Sequence, residues 1–203
     1  MRFWKENKVL ILLTMLLPLL MLFVDRPVIR WLTTEFKENY ALYFIIERVE
    51  PFISIIADGF TLIGIAIILY VIAKYTSKHL ETASRPLFWS LIASGILVHV
   101  VKHLFGRGRP KHDAGFLGPT LKGGYESFPS GHATAAFCFA HVLSHYYPKY
   151  RFLFYGFAVV VGLERIEDAH HFPSDILGGA ILGIVVGKWF IHKIDQSGGE
   201  AHG

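Results

Sequence analysis

KHLFGRGRP, residues 102–110, ends a long apolar run and turns it into a basic, glycine-bearing loop. Two later stretches complete its chemistry: PSGH at 129–132, and Arg165 followed by His171 and Asp175. Through Lys102, Arg109, Arg165, His132, His171 and Asp175 they put a lysine, two arginines, two histidines and a carboxylate, with a glycine turn, into a chain that is otherwise mostly apolar. That inventory suits a phosphate group. A phosphate monoester carries close to two negative charges, and its hydrolysis needs that charge held, a nucleophile in line and a proton for the leaving oxygen. Lys102, Arg109 and Arg165 can hold the charge, the arginines as planar bidentate donors and the lysine as a point charge.

Outward from this loop the chain reads as a membrane bundle. Its 203 residues are 53% hydrophobic with a mean hydropathy of +0.43, and the apolar residues fall in long blocks. We expect an all-α fold of six spans at 9–24, 52–73, 87–105, 133–147, 152–163 and 176–191, forming one domain over 1–203. The first block resembles a signal peptide, but Asp25, Arg26 and Pro27 follow it where a small-residue cleavage site would stand, so we expect an uncleaved span. Residues 25–51 mix charges with aromatic side chains and read as an interfacial or periplasmic segment. Asp58 and Gly59 fall near the outer end of the second span, Pro86 opens the third, and 195–203 reads as a flexible tail. Cys138 is the sole cysteine and permits no internal disulfide, and no aromatic-interleaved basic stripe points to nucleic acid.

Six spans place the end of the third, the start of the fourth, the end of the fifth and the start of the sixth on one face. Every residue of the phosphate inventory converges there. Lys and Arg counts tie between the two faces, but Arg2, Lys5 and Lys8 outnumber Arg26 and Arg30 around the first span. Both termini are therefore expected in the cytoplasm, with the site facing the periplasm or outside.

Locally, Pro129 suits a first helical position, which would leave the amides of Ser130, Gly131 and His132 as an anion site at a helix head. Gly131 lets a ligand oxygen approach the backbone, and Ser130 adds a hydroxyl. Pro173 repeats the arrangement and puts Asp175 in the first turn beside His171. There the carboxylate can accept the imidazole N–H and leave the other nitrogen as nucleophile. His132 remains to protonate the departing oxygen and then to activate water.

The three stretches resemble, in order and setting, the signature motifs of the type 2 phosphatidic acid phosphatase family. The resemblance implies a helical core shared with vanadium haloperoxidases and a metal-independent phosphohydrolase, without cofactor, that works through a phosphohistidine. By the match, Lys102, Arg109, Ser130, Gly131 and Arg165 bind phosphate, His132 is the acid, His171 the nucleophile and Asp175 its partner. One departure stands out: the third motif usually opens with serine before the arginine, and here Glu164 takes that place. A carboxylate facing phosphate would repel it, so Glu164 is expected to point away or to pair with a base.

Other candidates have plainer readings. Arg107 lies off the motif positions and reads as a structural or lipid-head residue. His170 reads as a neighbour of His171, and the pairs His99/His103 and His141/His145 as packing or interface residues rather than metal ligands. Gly179, Gly183 and Gly187 form a small-residue ridge for helix packing inside the bundle. Asp58 either shapes the entrance to the site or marks the membrane boundary.

The expected function is hydrolysis of a lipid phosphate ester or anhydride in the inner membrane. Candidate substrates are phosphatidylglycerol phosphate, undecaprenyl diphosphate, lipid A phosphate and phosphatidic acid, with head-group choice set by the loops at 25–58 and 111–128. The alternatives are a phosphotransferase using the same intermediate, a vanadate-dependent oxidase sharing the anion cradle, and a non-enzymatic lipid or phosphate carrier. The last has no need of the His171 and Asp175 spacing.

Overall fold

The computed structural model of the chain describes residues 2–36, 40–76, 78–112 and 115–200; the rest of the expected 25–51 segment, 111–128 loop and 195–203 tail lies outside the described residues. The α-helices are α1 (Arg2–Leu19), α2 (Asp25–Trp31), α3 (Tyr40–Ala57), α4 (Gly59–Thr76), α5 (Lys78–Phe105), α6 (Gly131–Tyr146), α7 (Arg151–Glu167) and α8 (Pro173–Glu200). The described residues form no strand, only an isolated bridge between Arg107 and Phe116. The class is all-α, as expected.

α6 is the hub because its side chains are small on several sides. Ala135, Cys138 and Val142 pack against Leu62 and Ala66 of α4, Leu87 and Leu91 of α5 and Ile191 of α8. Ala136 and Ala140 pack against Ala57 of α3 and Ala158 and Val161 of α7. Apolar side chains outside this core, such as Leu22, Phe52, Phe60, Ile68 and Phe152, are exposed, the pattern of a bundle whose solvent is hydrocarbon.

The glycine ridge of α8 seals the contact with α6. A Cβ at Gly179 would stand 2.6 Å from the Ser130 carbonyl oxygen, and one at Gly183 would press on the Thr134 carbonyl more closely still. Only glycine permits this backbone approach.

Four helical stretches are long and apolar enough to cross a membrane: Asn7–Glu35, Gly59–Thr76, Leu80–Phe105 and Pro173–Gln196. α6 and α7, at 16 and 17 residues, correspond to the expected fourth and fifth spans. At about 1.5 Å per residue each is only slightly short of a 30 Å hydrocarbon core.

Several boundaries differ from expectation. The single span expected at 52–73 is broken at Asp58, where α3 ends and α4 begins. The Asp58 carboxylate accepts from the Phe60 N–H at 2.9 Å, an N-cap that starts a new helix. Pro86 lies inside α5, which begins nine positions before the expected start at 87, so the proline does not open the helix. Residues 195–200, expected to be a flexible tail, continue α8.

The first apolar helix also runs past 24. A π-helical turn (Leu20–Val24) carries it into α2, and a second (Leu32–Phe36) follows. Pro27 cannot donate to an i−4 carbonyl, and the wider turn before it re-aims the next side chain, so that Asp25 faces inward and is 1% exposed. α1 and α2 lie antiparallel to α8, tied at one end by Lys188 Nζ donating to Asn7 Oδ1 (2.8 Å) and at the other by Ser174 N–H donating to Asp25 Oδ1 (3.0 Å).

Candidate active site

The last turn of α5, the heads of α6 and α8, and the end of α7 meet at one end of the bundle. Lys102 is buried in the last turn of α5. The chain then reverses at Gly106, whose φ of +54° is in the left-handed region; a Cβ there would collide with the Gly118 carbonyl. Backbone bonds fold the following loop back on this turn, with Leu117 N–H donating to Gly106 O (2.9 Å), Arg109 N–H to Gly124 O (3.0 Å) and Ser127 N–H to Arg107 O (2.9 Å). His103 Nδ1 lies 3.1 Å from Thr120 O, so this ring pins the loop, while His99 lines a cavity described below.

At the head of α6 the cap is Ser130, and the helix begins at Gly131 instead of at Pro129. Ser130 has extended φ and ψ, and its Oγ accepts from the Ala133 N–H; Pro129 precedes the helix instead of occupying its first position. The Ser130 N–H is also not available to an anion, since it donates to the Asp175 carbonyl at 3.0 Å. The amides of Gly131 and His132 are in the first turn, where no intrahelical acceptor exists. A Cβ at Gly131 would lie 3.7 Å from Lys102 Nζ, so the glycine keeps amide and ammonium open to one ligand oxygen.

At the head of α8 the expectation that Asp175 accepts directly from His171 needs correction. His171 Nδ1 stands 2.8 Å from the Ser127 carbonyl oxygen and 3.8 Å from Asp175 Oδ2. A carbonyl can only accept, so Nδ1 carries the hydrogen and Nε2 keeps its lone pair, the tautomer a nucleophile requires. Asp175 acts one step back: its Oδ2 accepts from Ser127 Oγ (2.6 Å) and from the Phe172 N–H (2.8 Å), half of a capping box. Burial of the His171 ring lowers its pKa from the ordinary 6.5, with Asp175 opposing the shift and Lys102 and Arg109 adding to it.

Arg107 has a partner the motif spacing did not suggest. It is 4% exposed, and its two terminal nitrogens bind Asp175 Oδ1 (2.6 Å) and Asp25 Oδ2 (2.7 Å). Its guanidinium also stacks on Phe172, 4.3 Å from the ring centre. This is the structural alternative given for Arg107, not the lipid-head one.

The remaining cations have acidic company. Arg109 is 3.7 Å from Glu126. Arg165 is paired through Nε and a terminal nitrogen with the adjacent Glu164, as one of the two outcomes expected for that carboxylate. The pairing takes place on the site's own cation. Arg165 also holds the chain of the third motif, since its carbonyl accepts from the His171 N–H at 3.1 Å. His170 turns to Asp168.

His132 is half-buried and, with Lys102 and Gly131, closes one end of a cavity of about 450 Å³. Its other walls are Phe60 and Ile63 of α4, Leu91, Ile92 and Ile96 of α5, with Asp58 and His99 among the polar lining. His141 and His145 belong to the far end of α6, where His141 Nδ1 contacts Tyr155 Oη at 2.8 Å and His145 faces Asp195 at 3.4 Å.

Asp25 and Ser127 are the residues that sequence reasoning missed. The bond from Asp25 to Ser174 spans 149 positions, and no local spacing reports it. A buried-type acid beside Pro27 in an apolar run was the available signal.

Residues 83–198 match the model of the PAP2 superfamily. A lipid A 1-phosphatase of Rhizobium etli is 34% identical over 150 residues, covering 66% of this chain and 63% of that protein. The crystal structure of Aquifex aeolicus LpxE superposes with a TM-score of 0.64 at 26% identity, over 83% of this chain and 95% of that one. A transmembrane PAP2-type phosphatidylglycerolphosphate phosphatase from Bacillus subtilis shares the fold, with a TM-score of 0.70 at 20% identity over 96% and 97% of the two chains. The matched segment contains all three motif stretches, and on it the chain belongs to the PAP2 superfamily.

Proposed function

We propose that the protein is a six-span integral membrane phosphatase that cleaves a phosphate ester or anhydride of a lipid through a phosphohistidine. The observation that carries the reading is the cavity of about 450 Å³, which joins Lys102, Gly131 and His132 to apolar walls from α4 and α5. A lipid tail fits the apolar walls while its phosphate meets the polar end. Both termini are assigned to the cytoplasm and the site to the periplasmic side of the inner membrane, in keeping with the basic residues before the first span.

In this reading His171 Nε2 attacks phosphorus in line with the lipid oxygen, and the phosphorus–oxygen bond breaks as the phosphorus–nitrogen bond forms. His132 gives its proton to the departing oxygen. It then takes a proton from water, which attacks the phosphohistidine and releases inorganic phosphate. Lys102, Arg109, Arg165 and the Gly131 amide stabilise the charge on the equatorial oxygens. The cations present neutralise that charge without a metal, so we assign none.

The similarity to lipid A 1-phosphatases makes the 1-phosphate of lipid A the first substrate to test, ahead of phosphatidylglycerol phosphate, undecaprenyl diphosphate and phosphatidic acid. The test is phosphate release by the purified protein from these four lipids, with and without chelator. Release that persists in chelator and stops with vanadate supports the reading. No release from any of them, or release abolished by chelator, overturns it.

A further inference from the structure

The Arg107 cluster has one more carboxylate than it needs to neutralise its cation. Asp25 and Asp175 both bind the single guanidinium, at 2.7 and 2.6 Å, with exposures of 1% and 0%. Ser174 links Arg107 to Asp25: its Oγ accepts from Arg107 at 2.7 Å and donates to Asp25 Oδ2 at 2.5 Å. Asp25 lies outside the segment that matches the family model, which begins at residue 83.

We propose that Asp25 is a positioning residue for the His171 nucleophile, acting through Arg107. The guanidinium is a planar fork that pairs by preference with both oxygens of one carboxylate. Asp25 occupies one prong, so Arg107 reaches Asp175 through Oδ1 alone. That leaves Asp175 Oδ2 for Ser127 Oγ and the Phe172 N–H. Ser127 is thereby held where its carbonyl accepts from His171 Nδ1 at 2.8 Å. Without the Asp25 charge, that prong is held more weakly and can turn to Asp175 Oδ2, the second oxygen of the carboxylate that Arg107 already binds, and a bidentate pair would draw that oxygen from Ser127. The imidazole would then lose the fixed acceptor that sets its tautomer and aim.

The inference rests on the phosphohistidine reading, and the experiment separates the two. Wild type, Asp25→Asn and Asn7→Ala are purified, and kcat and KM are measured in mixed micelles on whichever of the four lipids releases phosphate fastest, and on p-nitrophenyl phosphate. Asn7→Ala removes the hydrogen bond from Lys188 that ties α1 to α8 at the opposite end of the bundle. Asp25→Asn is expected to lower kcat about 10- to 100-fold on both substrates with KM within about threefold, the scale of a small misplacement of a reacting group. Asn7→Ala keeps the wild-type kcat.

An unchanged kcat in Asp25→Asn overturns the inference while leaving the phosphatase reading in place, and so does an equal loss in both variants, which would mean general loosening of α1. A wild type that releases phosphate from none of the four lipids overturns both. Should Asp25→Asn fail to fold, Ser174→Ala removes the bridging hydroxyl: a kcat lowered severalfold at unchanged KM supports the inference, and an unchanged kcat overturns it.

Discussion

His171 Nδ1 is 2.8 Å from the carbonyl oxygen of Ser127 and 3.8 Å from the nearest carboxylate oxygen of Asp175. The ring that we assign as nucleophile is therefore oriented by a neutral acceptor, with the charged one behind it. A direct carboxylate would favour the imidazolium; a carbonyl fixes the tautomer while favouring it less.

The pH dependence follows from that arrangement. The neutral ring is the reactive form and burial lowers its pKa below 6.5, so the acid limb of kcat/KM should have its midpoint below pH 6.5. The same shift bears on stability with a defined sign. Between the lowered folded value and 6.5 the unfolded chain binds a proton that the folded chain does not, so stability should fall as pH drops below 6.5. A pH–rate profile with its acid midpoint above 6.5 would contradict the assignment.

Removal of the two imidazoles should have different signatures. His171→Ala is expected to lose at least about 10³-fold in kcat, with no phosphoenzyme, as for loss of a nucleophile. His132→Ala should still be phosphorylated by p-nitrophenyl phosphate, whose leaving group needs no proton, and should then stall. Alkaline quenching and mass spectrometry would show a phosphate on His171 in the second variant and none in the first. Phosphate carried by any other residue would contradict both roles.

Glu164 offers a prediction in the favourable direction. It occupies Arg165, which we assign to the phosphate. Glu164→Ser should release the guanidinium and lift a repulsive charge, lowering KM for a lipid phosphate and Ki for vanadate about tenfold, the worth of one charge-assisted hydrogen bond. A raised KM would mean that the pair orients Arg165 productively.

The cavity predicts a split between substrates. Gly95 is on its wall with open space where a Cβ would point. Gly95→Phe should fill the space, and turnover of a long-chain lipid phosphate should fall at least about tenfold relative to turnover of p-nitrophenyl phosphate. Equal loss on both substrates would show that the lipid tail lies elsewhere.

The convergence of the site was legible because helix order alone decides which ends share a face, and Lys102, Arg109, Ser130, Gly131, His132, Arg165, His171 and Asp175 all stand at such ends. Finer geometry was not. The acceptor for His171 is a main-chain carbonyl 44 positions away, and a carbonyl carries no residue identity for a motif to report. Pro129 was expected at the first helical position, but the helix begins two residues later, at Gly131, because the Ser130 side chain can accept an amide hydrogen and caps it. The break at Asp58 was signalled by an acid followed by glycine, but hydropathy averaged over a span hides a single capping residue. Asp25 was read as the end of a span; the π-helical turn that aims it inward follows no 3.6-residue pattern.

The close approach at Gly179 and Gly183 makes the two halves of the candidate site parts of one beam. Bilayers of different thickness can tilt that beam as a unit, yet they have no compliant joint between α6 and α8 on which to act. The distance from the Gly131 amide to the His171 ring is thus insulated from the host lipid, and the adaptable side of the molecule is the apolar cleft between α4 and α5.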